Sequence, residues 1–111
     1  MTTKTDRNTI RILNDVLRKT FITGNVLLTR GVAEAPDEHR GEIITKVQTF
    51  EAFTPDNDPH GEHDFGAFEV QGTKYFWKID YYAPDMMHGS DDPADSTKTV
   101  RVLTIMLAEE Y

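Results

Sequence analysis

Ala67-Phe68-Glu69-Val70-Gln71-Gly72-Thr73-Lys74-Tyr75-Phe76-Trp77-Lys78-Ile79-Asp80-Tyr81-Tyr82 is the stretch on which the fold turns. Apolar and polar residues alternate over Ala67–Val70 and again from Lys74 to Tyr82, the period of a half-buried strand. Gln71-Gly72 between them is turn chemistry, so the stretch reads as a β-hairpin. Tyr75, Trp77, Ile79 and Tyr81 share one face, which is expected to be core. Phe76, Lys78, Asp80 and Tyr82 share the other. The single tryptophan lies on the core side, where it is expected to anchor helices packed on the sheet.

Downstream, Thr99–Leu107 is apolar and rich in β-branched residues. It reads as a central strand buried on both sides at its middle, with Ala108-Glu109-Glu110-Tyr111 as its polar exit. The connection 83–97 holds Pro84, Met86, Met87, His88, Gly89 and Pro93 but no periodic pattern. Connections this long are uncommon in a compact domain unless they function or are disordered, and Met86-Met87 would suit an adaptable contact surface.

Upstream, Ile10, Leu13, Val16/Leu17 and Phe21 recur at helical spacing, which predicts a helix over Asp6–Phe21. Thr5, Asp6 or Asn8 would cap it, Gly24 would end it, and Arg7, Arg11, Arg18 and Lys19 would decorate its polar side. Asn25–Val32 is short, β-branched and bounded by glycines, the pattern of a buried strand. Asp37 and Glu38 suit the start of a second helix that carries Ile43/Ile44, Val47, Phe50 and Phe53 and stops at Thr54-Pro55. Gly41 weakens its first turn by about 1 kcal/mol relative to alanine. The expected fold is α+β: two helices packed on a mostly antiparallel four-stranded sheet, in the order α-β-α-β-β-β.

A chain of 111 residues is the length of one domain, residues 1–111, with a single modest core. It has no cysteine, which removes disulfides, thiolate metal sites and a cysteine nucleophile. Neither a secretory leader nor a bilayer-spanning run is read, so a cytoplasmic home is expected. The formal charge of −7 is uneven. Six basic side chains face two acidic ones in residues 1–30, two face ten in 31–73, and four face seven in 74–111. The excess of acid argues against direct binding to nucleic acid, which needs Lys and Arg to displace counterions. It suits a basic protein partner.

The charge gathers in Asp56-Asn57-Asp58-Pro59-His60-Gly61-Glu62-His63-Asp64-Phe65-Gly66, and three uses of it compete. A divalent metal ion could be held by His60, His63 and Asp64, with Asp56, Asp58, Glu62 and Asp80 in support. The aspartate, aspartate, glycine spacing of a calcium loop begins at Asp56 but breaks at His60 and Ala67. Metal-free acid–base chemistry would use His63 with Glu62 or Asp64, joined by Asp80 and Tyr82. Ser90, Ser96 and Thr97 are the nearest hydroxyls, and they form neither a nucleophile elbow nor a phosphate cradle. The third use is structural. Asp56-Asn57 and Asp58-Pro59 form turns, Gly61 accepts a positive φ, and Lys74, Lys78 and Arg101 are available as ion-pair partners.

The blocks Asp56–Gly66, Trp77–Tyr82 and Arg101–Tyr111 resemble a family of small bacterial proteins grouped as a domain of unknown function, read as NDP-x-GEHDFG, WKIDYY and RVLTIMLA-x-EY. The resemblance extends to Leu28–Val32. It implies no reaction and no catalytic residues, only an accessory role in plasmid-rich and prophage-rich genomes. The expected function is a small acidic interaction protein of a bacterial mobile element that inhibits a host defence or nucleic-acid-binding complex. No cofactor is expected. The partner surface would draw on Asp56, Asp58, Glu62, Asp85, Asp91 and Asp92. The alternative is a metal-assisted hydrolase or metal-binding protein centred on the 56–64 loop.

Overall fold

The computed structural model of the protein describes residues 4–111, with side chains from Asp6 onward. Its order is α1 (Lys4–Thr20), β1 (Asn25–Leu28), α2 (Arg30–Ala33), α3 (Asp37–Gln48), β2 (Phe65–Val70), β3 (Thr73–Tyr82), β4 (Val100–Leu107) and a closing 3-10 turn (Ala108–Glu110). The sheet runs β1-β4-β3-β2. The β2–β3 and β3–β4 pairs are antiparallel, whereas β1 lies parallel to β4. The fold is α+β with a mixed sheet. The hairpin and the central place of the last strand agree with the sequence, but the described residues form three α-helices rather than two.

In the hairpin, Gln71 and Gly72 both take positive φ, 53° and 78°. That is the turn whose twist matches the flanking strands. Tyr75, Trp77 and Ile79 are buried on the expected face, and β4 buries Leu103 and Ile105 with them and Val102 and Met106 on its other side. Leu17, Val32, Ile43, Val47, Phe50 and Val70 complete the core.

Three boundaries differ from the sequence reading, each for a tertiary reason. Helix α1 runs to Thr20 and is ended by Phe21 rather than Gly24: Phe21 takes φ 60° and returns its N–H to Leu17 O at 2.7 Å. Gly24 instead marks a close approach, since a Cβ there would stand 2.7 Å from Arg101 O. The expected strand over 25–32 stops at Leu28. Thr29 gives its N–H to Ile105 O at 3.0 Å, and the chain turns helically so that Val32 is fully buried. The Glu110 carboxylate fastens this turn by accepting from Thr29 Oγ1 (2.6 Å) and from the N–H groups of Gly31 and Leu107 (both 2.9 Å). Those donors hold its pKa below the ordinary glutamate value. Helix α3 stops at Gln48, six residues before Pro55 is reached. Phe50 and Phe53 leave the helical path to meet Trp77 edge-on, at 5.6 and 6.1 Å between ring centres.

Of the proposed caps, Asp6 and Asn8 lie within α1, and the Thr5 side chain is outside the described residues. Gly41 sits in α3 with open space around it, and the buried Ile43 and Val47 carry the helix despite it. Among the described residues no helix is long and apolar enough to cross a membrane.

Candidate functional site

The 56–64 stretch is an ordered loop fastened to helix α1. Its first turn is tied by Asn57, whose Oδ1 accepts from the Thr54 N–H (2.8 Å) and whose Nδ2 donates to Ala52 O (2.9 Å). Asp58 is turned inward, only 7% exposed. Its Oδ1 accepts the His63 N–H at 3.1 Å, which steadies His63 in the left-handed region at φ 55°. A non-glycine residue there is strained and persists only where its surroundings hold it.

They hold it on every side. The His63 ring stacks on Phe53 with centres 3.7 Å apart and planes 2° from parallel. Nδ1 lies 2.9 and 3.1 Å from the two carboxylate oxygens of Asp15, and Nε2 is 3.7 Å from Asp58 Oδ2. Asp15 also accepts from Arg18 Nη2 at 3.1 Å. Arg18 corrects the sequence reading, because it is 1% exposed rather than part of a solvated face. Its Nη1 donates to the carbonyls of Val47 (2.9 Å) and Gln48 (3.4 Å). These are last-turn carbonyls of α3, which the guanidinium caps where the helix stops. The guanidinium carbon lies 5.5 Å from the centre of Phe53 and 5.3 Å from that of Trp77.

A second polar chain runs alongside. Asn14, fully buried, donates to Glu62 O (3.0 Å) and to the Tyr81 hydroxyl (2.7 Å) and accepts from Arg101 Nε (2.8 Å). Tyr81 donates to Glu62 Oε1 at 3.1 Å. Burial raises the pKa of Glu62 and is only partly opposed by that hydrogen bond, with Asp64 and Asp58 adding repulsion. Asp64 is raised in the same way, by burial first and then by Asp58 and Asp80. Burial also drives the Tyr81 hydroxyl upward.

Because the folded pKa of Glu62 lies above its free value, this group's stabilising contribution is complete below the ordinary glutamate range. It is lost as pH rises through the folded pKa. Glu62→Gln keeps an acceptor for Tyr81 and removes the charge. Denaturant midpoints across the acid-to-neutral range are expected to show the variant gaining on the parent as pH rises. The advantage should vanish below the ordinary glutamate range.

The other candidates are dispersed. Asp56, Asp85 and Asp91 are exposed, and Asp92 is half-buried. His60 is exposed on the rim of an open depression of about 480 Å³, lined also by Phe53, Thr54, Pro55, Asp58 and His63. Lys78 pairs with Asp80 at 2.9 Å rather than with the loop, and Lys74 covers the Phe76 ring at 5.5 Å. Among the described residues no three His, Cys, Asp or Glu side chains converge as a metal ion would require.

Asn14, Asp15 and Arg18 were not among the sequence candidates. The available signal was their phase, since Asn14 and Arg18 fall four and eight residues after Ile10, on the same stripe as Leu17. Polar residues on an apolar stripe mark a buried polar contact.

The segment 83–99 is ordered by its own side chains. Asp85 accepts the Met87 N–H (2.8 Å) and contacts His88 Nδ1 (3.0 Å), and Asp92 accepts the Ala94 N–H (3.2 Å). Asp95 accepts from the Thr97 N–H (2.9 Å) and Oγ1 (2.6 Å), and the Ser90 and Thr99 hydroxyls meet at 2.7 Å. These bonds hold Asp85 and Asp95 below the usual aspartate pKa. Met86 takes φ 61°, and Met87 is 81% exposed.

No curated protein and no solved structure matches the chain. A family model does match, over residues 28–110, and its span takes in α2, α3, all of β2–β4, the 56–64 loop and the 83–99 segment. On that match the chain belongs to the family described as "Protein of unknown function (DUF3768)".

Proposed function

We propose that the protein is a small acidic interaction protein whose 83–99 segment presents a fixed surface to a basic protein partner, of the kind that itself holds nucleic acid. One observation carries this reading. The segment is tied in shape by aspartate and serine hydrogen bonds to its own backbone, yet it leaves Met86, Met87 and Asp91 in solvent. A preformed loop keeps the ordering cost of association low, and exposed methionines adapt to an apolar surface. The surrounding carboxylates would steer a basic partner and set the salt dependence. An accessory role in a bacterial mobile element, inhibiting a defence or nucleic-acid-binding complex, fits such a surface.

The same geometry lends less support to a metal-assisted hydrolase or metal-binding centre at 56–64. Asp58 and Asp15 are both engaged by His63 and its backbone, and His60 is exposed with no hydrogen bond to either.

The test is affinity capture with the parent and with a Met87→Lys/Asp91→Lys variant, followed by salt titration of the purified pair. Both side chains are exposed, so the variant should melt with the parent. The expected result is a basic partner held by the parent and bound at least tenfold more weakly by the variant, with affinity falling as salt rises. Equal binding by the two proteins, or binding indifferent to salt, would sink the reading.

A further inference from the structure

Arg101 is buried, 5% exposed, yet its described contacts are all uncharged. Nε donates to Asn14 Oδ1 at 2.8 Å, Nη2 donates to Pro93 O, and the guanidinium lies over the Tyr81 ring at 5.3 Å. Among the described residues Nη1 has no acceptor, and it is not sealed from solvent. A buried cation with no contacting counter-charge is costly unless something completes it. Burial accordingly lowers the Arg101 pKa, opposed by Tyr81 and then by Glu62.

Arg101 also lines a recess of about 300 Å³ shared with Leu13, Thr23, Ser96 and Thr99. Three hydroxyl groups and a guanidinium thus border one space, with a leucine closing one wall. Thr99 is tied to Asp92 O and Ser90, whereas no described hydrogen bond occupies the hydroxyls of Thr23 and Ser96. Of the nearby carboxylates, Asp92 accepts the Ala94 N–H and Asp95 the Thr97 N–H.

We propose that this recess binds the phosphate group of a small molecule, with Arg101 as its counter-charge, Thr23 and Ser96 as hydroxyl donors and Thr99 as part of the wall. The side-on fork of Arg101, Nε with Nη2, is already committed to Asn14 and Pro93. A planar carboxylate bound through that fork is therefore disfavoured. What remains is one guanidinium nitrogen plus hydroxyls from separate segments, an arrangement that suits a tetrahedral oxyanion. The volume is at the small end for ligand pockets, enough for the phosphate and a short substituent. The recess shares the 83–99 segment with the proposed partner surface but uses none of Met86, Met87 and Asp91.

Inorganic phosphate titrated into isotope-labelled protein, at ionic strength held constant with chloride, is the direct test. Saturable shifts at Thr23, Ser96, Thr99 and the Arg101 side chain are expected. Ser96→Ala and Thr23→Val leave every described hydrogen bond in place and should each weaken binding about tenfold, the scale of a hydrogen bond to a charged group. A matching response to chloride, unchanged binding by both variants, or shifts centred instead on the open recess at Arg7, Asn8, Arg11 and His60 would each overturn the proposal.

Discussion

Arg18→Met is expected to cost about 3–5 kcal/mol, the scale of removing one partner from a buried ion pair. The methionine keeps much of the stem's bulk, so the loss isolates the guanidinium. Three things go with it. Asp15 is left facing His63 without its cation, the Val47 and Gln48 carbonyls at the end of α3 lose a side-chain donor, and Phe53 and Trp77 lose the planar cation near both rings. The buried Nε has no acceptor among the described residues, so its removal returns a little of that cost. Urea titrations of Arg18→Met, Asp15→Asn and the double variant would measure the coupling. A loss under about 1 kcal/mol for Arg18→Met would place the residue with weakly coupled surface pairs and defeat the argument.

Gly66→Ala should be nearly as damaging for the opposite reason, too much matter rather than too little. A methyl group there would stand 2.3 Å from Trp77 Nε1, 2.7 Å from Trp77 Cε2 and 2.9 Å from Phe50 Cζ. The indole cannot swing clear, because it is fully buried and held edge-on by Phe50 and Phe53. Overpacking of a filled core costs about 1–3 kcal/mol and sometimes more, and rigid neighbours put this site at the upper end. A melting temperature lower by about 10 °C or more is expected for a domain of this size, with altered near-ultraviolet dichroism from Trp77. An unchanged melt would mean that the strand-end backbone yields easily.

The hairpin was legible in the sequence because its information is local. Alternation from Lys74 to Tyr82 and the Gln71-Gly72 turn each specify geometry within a few residues, and the apolar Thr99–Leu107 run told of its own central place. The helix ends were not legible, because distant groups set them. Arg18 caps the last carbonyls of α3, and Ile105 and Glu110 capture Thr29 and turn the expected strand into a helical step. In the acidic stretch the expected turns at Asp56-Asn57 and Asp58-Pro59 and the positive φ of Gly61 are present, whereas the Asp58 carboxylate holding the His63 N–H was not foreseen. Its other half, Asn14, Asp15 and Arg18, wore the disguise of an ordinary polar helix face. Charge density along the chain reveals where carboxylates gather but not which way each one turns.

The arrangement of β4 has a consequence in time. Strand β4 lies between β1 and β3, so residues 25–28 have no strand to pair with until residues 102–105 reach them. The hairpin can form early from its own neighbourhood, but the sheet stays in two unconnected parts until the last strand slots between them. Such late, long-range closure slows folding. A nascent chain would hold Val26, Leu28 and the apolar side of α1 without their final cover while its later residues were still being made, a stage at which chaperones have the most to grasp.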